Sequence, residues 1–175
     1  METLKTINTR KSVRSYTGAL SEEALQTVLM AGQAAPVGMA KYETVHMTVI
    51  RDKELLHEID RAGAEFFNDP ERKPLYDAPC LILLSTTVAD PAAGNVPYSN
   101  AAVIVENMSL AATDLGLGSC LIWGCIAGLN QKPELVARLG LPEGQVPSCG
   151  LVLGETAEVL EEREIPADRI GVSYL

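Results

Sequence analysis

Strand-like and helix-like periodicities alternate along this chain, which predicts a mixed α and β fold in which helices cover a sheet of about four strands. Two observations carry the prediction. Short β-branched or continuously apolar runs occur at residues 45–50, 80–87, 119–126 and 147–154, and the segments between them space their apolar residues as helices do. A third observation sets the scale. The 175 residues, 47% hydrophobic and 21% charged, have ordinary globular usage and the length of one domain, residues 1–175.

The order expected is helix, helix, strand, helix, strand, helix, strand, helix, strand. Residues 21–35 form a helix with Ser21 as N-cap, Glu22 and Glu23 in the first turn, and Leu25, Val28 and Leu29 on one face; Pro36 ends it. Residues 45–50 alternate in part and suit a strand, and residues 53–64 return to helical spacing through Leu55, Leu56 and Ile59. Residues 80–87, opened by Asp77, Ala78 and Pro79, read as a strand buried on both faces. Residues 99–115 are helical, with apolar residues over most of the circumference, so this helix is expected to be buried all round, in the core or against a second subunit. Gly116 and Gly118 follow as a cap, residues 119–126 as a strand, residues 133–139 as a short helix, and residues 147–154 as a last buried strand. Two irregular segments, 35–43 and 67–78, are long enough to shape a site.

The net charge of −9, from 23 acidic and 14 basic residues, repels phosphate backbones and anionic lipid, which argues against nucleic-acid and membrane partners. Cys80, Cys120, Cys125 and Cys149 stand in apolar stretches without metal-ligand or redox-pair spacing, so they read as small buried hydrophobes in a reducing compartment. The first residues carry no apolar targeting core, and no run approaches about 18 apolar residues; a cytoplasmic location is expected. His46 and His57 have no partner at a recognisable spacing and read as structural, and nothing suggests a metal.

Against this acidic background, Arg10, Lys11, Ser12 and Arg14 place three cations and a hydroxyl within five residues. Arginine offers forked hydrogen bonds, lysine a point charge and serine a short donor, a set suited to a phosphate monoester. On composition alone the same residues also read as a solvated basic patch. Trp123, the only tryptophan, is equally a core residue or the wall of a pocket.

Residues 7–17, the helix end at Ala34, Ala35 and Pro36, the Phe66, Phe67 and Asn68 triplet, the helix around Asn107, and the Leu115 to Cys120 turn occur in an order that resembles the nitroreductase family of FMN-dependent flavoproteins. The resemblance runs from about residue 4 to residue 154. It implies an α+β, nitroreductase-like fold with a central, mainly antiparallel sheet flanked by helices, and a homodimer with FMN at the subunit interface. It also implies an NADH- or NADPH-dependent oxidoreductase that passes hydride to a small acceptor, a nitroaromatic, a quinone or similar, by a ping-pong mechanism. By the same resemblance Arg10, Lys11, Ser12 and Arg14 hold the FMN phosphate and ribityl chain. Asn68 meets the polar edge of the ring, with Arg72 or Lys73 as an assisting cation. The backbone of Leu121, Ile122, Trp123 and Gly124 lies beside the ring, Gly124 permitting close approach, and Arg169, or else Arg163, returns a charge to the phosphate.

Pro36, Val37, Gly38 and Met39 match a loop that in the family faces the flavin from the partner subunit. Here it lacks the hydroxyl and amide side chains usual in the family. That departure motivates an alternative, an FMN-binding protein without nicotinamide turnover that serves as flavin carrier, redox sensor or electron shuttle. No catalytic side-chain constellation is expected in either case, because the cofactor carries the chemistry.

Overall fold

An unbroken apolar run over residues 80–84 makes β2 (Cys80–Thr87) the centre of the molecule. Its side chains alternate between two cores, Cys80, Ile82 and Leu84 on one face of the sheet, Leu81 and Leu83 on the other. The computed structural model describes residues 2–88 and 94–175. Around β2 it arranges β1 (Val45–Ile50), β3 (Gly118–Ile122) and β4 (Gln145–Gly154) in the order β1-β2-β4-β3, with every neighbouring pair antiparallel. Helices α2 (Glu22–Gln33) and α4 (Val96–Asp114) cover one face; α3 (Lys53–Phe66), α5 (Gly124–Leu129) and α6 (Pro133–Ala137) cover the other, and α1 (Thr3–Thr9) rests on α4. This is the helix-covered, four-stranded sheet that the residue patterns predict, with the antiparallel pairing that the family resemblance implies.

Local chemistry explains the helix ends. The Ser21 hydroxyl accepts from the Ala24 amide at 3.2 Å, and the Asp52 carboxylate from the Leu55 amide at 2.8 Å, each satisfying a first-turn N–H. Helix α4 begins earlier than expected, with Pro97 in its first turn, where a missing N–H costs nothing. It ends on Gly116, whose φ of +74° allows Leu117 N to reach Ala112 O and Gly116 N to reach Thr113 O.

Three expectations are corrected. The run 119–126 is a strand only as far as Ile122; Gly124, Cys125 and Ile126 open helix α5, because Gly63 and Gly128 let α5 lie directly against α3. An unbroken apolar run fits a buried helix as well as a strand. Strand β4 starts at Gln145, a polar residue that is buried yet satisfied by Ser85 Oγ at 2.8 Å and Glu43 O at 3.2 Å. Helix α4 is not buried all round within the chain: Ile104, Val105, Met108 and Ala112 face the core, whereas Ala102, Val103 and Glu106 face outward.

Candidate functional site

Main-chain bonding lays the basic segment along the outer edge of the sheet. Val13 N donates to Ser119 O of β3 at 2.8 Å, and the Val13 side chain is buried against Gly118. This alternation leaves Ser12 and Arg14 facing outward on either side of an apolar anchor. Arg10 Nε lies 3.2 Å from Glu106 of α4, and Lys11 Nζ 2.9 Å from Glu158 of the C-terminal segment. Beneath them, burial pushes the Cys120 thiol up, opposed by the Arg14 charge, the Ser12 hydroxyl and the Arg10 charge. Burial likewise pushes the Cys125 and Cys149 thiols up to about 12 and Cys80 to about 11. All four cysteines are free and buried, as their sequence context predicts.

Arg14 links this segment to a cleft of about 120 Å³. Its Nε donates to Tyr76 Oη at 3.3 Å, which raises the guanidinium pKa further, and Tyr76 lines the cleft together with Phe67, Arg72, Leu121, Trp123 and Gly124. Trp123 is 64% exposed and Leu121 54%, which removes the core reading of Trp123. Arg72 stacks on the Phe67 ring, its guanidinium carbon 3.9 Å from the centroid. The close approach that Gly124 permits is to this same ring: a Cβ at Gly124 would collide with the tip of Phe67.

Asn68 occupies the position after the α3 C-cap with φ of +51°, where its N–H reaches Glu65 O and that of Asp69 reaches Ala64 O. Its backbone therefore ends the helix, a task asparagine tolerates through the left-handed region. Pro36, Val37, Gly38 and Met39 lie elsewhere, on α4: Gly38 N donates to Asn100 Oδ1 at 3.0 Å, and Met39 is 79% exposed at a φ of +56°. One chain thus brings Leu121, Ile122, Trp123 and Gly124 into a single cleft, to which Arg14 is joined through Tyr76, and keeps the 36–39 loop apart from it. Arg163, not Arg169, meets the basic segment. Its Nε donates to Asn8 O at 3.0 Å and a terminal nitrogen to Arg10 O, whereas Arg169 is exposed within a turn of its own.

Residue patterns gave no sign of two contributors. Tyr76 sits at a φ of +57° in a turn that no local motif announces. Asp60, half-buried, accepts from the Leu75 amide at 2.6 Å and so ties the loop bearing Arg72 and Tyr76 to α3; burial pushes its carboxyl up. Asp60→Ala should strand that amide and cost about 1–3 kcal/mol in denaturant unfolding, while Asp60→Asn, whose carbonyl still accepts, should cost far less.

The sequence profile of the nitroreductase family matches residues 7–155. The chain belongs to this family. The crystal structure of a Bacteroides fragilis nitroreductase with bound FMN superposes on 99% of the chain and 100% of its own, with a TM-score of 0.81 and 29% identity. A Desulfitobacterium hafniense nitroreductase with bound FMN covers 99% and 100%, with a TM-score of 0.84 and 25% identity. Among sequence relatives, a Bacillus subtilis FMN reductase acting with NAD(P)H is 28% identical over 90% of this nitroreductase-family chain and 67% of its own. Among the described residues no group of three His, Cys, Asp or Glu side chains is gathered as for a metal ion, and no helix is long and apolar enough to cross a membrane.

Proposed function

We propose that this nitroreductase-family protein is an FMN-dependent oxidoreductase that takes electrons from NADH or NADPH and reduces a small acceptor, a nitroaromatic, a quinone or a similar molecule, by a ping-pong mechanism. The observation that carries this reading is the continuity, through Arg14 and Tyr76, between a segment of three cations and a hydroxyl and an aromatic-walled cleft. The donor set fits FMN: guanidinium, ammonium and hydroxyl groups suit its phosphate, and exposed Trp123 and Leu121 offer flat apolar surface to its ring system. When bound, FMN supplies the redox chemistry, accepting electrons from the nicotinamide and delivering them to the acceptor.

The chain's own residues then bind and orient. Arg10, Lys11, Ser12 and Arg14 hold the phosphate and ribityl chain, and Arg14, fixed by Tyr76, also directs positive charge toward the cleft, where it favours any negative charge that develops. We further infer one FMN-binding domain over residues 1–175 that forms a cytoplasmic homodimer. The outward face of α4, with Val96 and Val103 exposed, supports that assembly, and so does the separation of the 36–39 loop from its own chain's cleft, which a partner's loop would complete.

The apolar 36–39 loop favours one competing reading, FMN binding without nicotinamide turnover. The test is the visible spectrum of the purified protein, followed by NADH and NADPH oxidation with menadione or a nitroaromatic. Released FMN at about one per chain together with turnover of either nucleotide supports the oxidoreductase; bound FMN without turnover supports the carrier or sensor. Because Trp123 is the only tryptophan, FMN titration should quench most of the protein's tryptophan emission. Unquenched emission at saturating FMN would place the ring away from the cleft.

A further inference from the structure

The segment that follows β4 runs back along the basic segment like a strap. Glu155 N donates to Gly18 O at 2.8 Å, Glu155 O accepts from Thr17 N at 2.9 Å, and Thr156 Oγ1 donates to Ser15 O at 2.9 Å. At the other end Asn8 Nδ2 donates to Glu162 at 3.2 Å, and Arg163 binds the carbonyls of Asn8 and Arg10. Pinned on both sides, the strap holds Glu158 between them. One carboxylate oxygen lies 2.9 Å from Lys11 Nζ, and the other accepts from Arg14 N at 3.3 Å.

An ammonium group and a main-chain N–H are donors that a phosphate oxygen pair would also take. From this geometry we infer that Glu158 is a built-in counter-anion, displaced from Lys11 and the Arg14 amide when a phosphate monoester binds, and that it sets the affinity of the site for its cofactor. The inference rests on the reading of residues 10–14 as the FMN phosphate clamp. Competition has a definite direction: a carboxylate that merely supported the clamp would strengthen FMN binding, whereas one that occupies it weakens FMN binding.

Glu158→Gln separates the two. The amide oxygen can still accept from Arg14 N, so the strap keeps its seat while Lys11 loses its ion pair. A partly exposed ion pair is worth up to about fivefold in an equilibrium constant, so FMN should bind roughly fivefold more tightly to the variant in fluorescence titrations. Glu162→Gln removes the same charge from the same strap, but its partner is the neutral Asn8, and FMN affinity should stay within about twofold. Titration with inorganic phosphate at constant ionic strength, followed through the Arg14 amide resonance, gives a readout that needs no flavin. Its midpoint should fall by the same factor of about five in Glu158→Gln. Unchanged or weaker FMN binding in Glu158→Gln overturns the inference. If the wild-type protein binds no FMN, the cofactor reading fails by itself. The phosphate arm then decides the strap: a lowered midpoint sustains the counter-anion role, and an unmoved midpoint or an unresponsive Arg14 amide rejects it.

Discussion

Arg10→Ala combined with Arg14→Ala should leave a folded protein that retains almost no FMN after desalting. Each arginine can supply charge-assisted hydrogen bonds of about 1.5–3 kcal/mol, and removing both should weaken FMN binding by roughly 100-fold to 10,000-fold. The fold tolerates the change because neither guanidinium is built into a core: Arg10 pairs with Glu106 at a half-exposed site, and Arg14 reaches the Tyr76 hydroxyl at the surface. Such pairs contribute little to stability. The apolar anchor between them, Val13, is untouched and keeps its amide on Ser119. Flavin content, thermal unfolding and gel filtration measured together check this. A variant that holds FMN as the wild type does, with an unchanged unfolding midpoint, removes the phosphate-clamp assignment.

The parts of the fold that were legible in the residues are those whose signal is local. Strand β1 has β-branched alternation and β2 opens on an unbroken apolar run, and both occupy the expected residues, Val45–Ile50 and Cys80–Thr87. The caps Ser21 and Gly116 carry their geometry in their own chemistry. The α5 boundary was not legible, because the apolar run through Ile126 satisfies both periodicities and the decision belongs to the pairing of Gly128 with the distant Gly63, which admits a close helix crossing. The site divides in the same way. The cations of residues 10–14 stand out in an acidic chain, and the structure seats them on the edge of the sheet through Val13, whose amide bonds Ser119 O. Tyr76, Asp60 and Glu158 did not stand out, since each acts on a residue remote in sequence or through a strained turn. Arg169 and Arg163 share composition and neighbourhood, and only the course of the chain after β4 puts Arg163 against Asn8 and Arg10.

Gly128→Ala should be the most destabilising single substitution at this end of the molecule. A Cβ there would collide with the Ala62 carbonyl and crowd Gly63 Cα, all backbone of α3. On the facing helix a Cβ at Gly63 would meet Cys125 Sγ at 2.7 Å and Cys125 Cα at 3.0 Å, so neither helix has room to slide. Overpacking costs about 1–3 kcal/mol where side chains can adjust; a backbone neighbour cannot, which puts this case near 3 kcal/mol, or about 6–12 °C in the unfolding midpoint for a chain of this size. The helices forced apart carry the two walls of the cleft, Phe67 and Arg72 following α3 and Trp123 preceding α5. FMN retention should therefore fall along with stability. Gly124→Ala separates the two effects, because its added methyl meets only the tip of the Phe67 ring, which can swing outward. That variant should lose about 1 kcal/mol or less and yet alter the quenching of Trp123 by FMN, since the Phe67 ring that Arg72 stacks on has moved. Equal losses of stability in the two variants would mean that the α3–α5 crossing is looser than its glycines require.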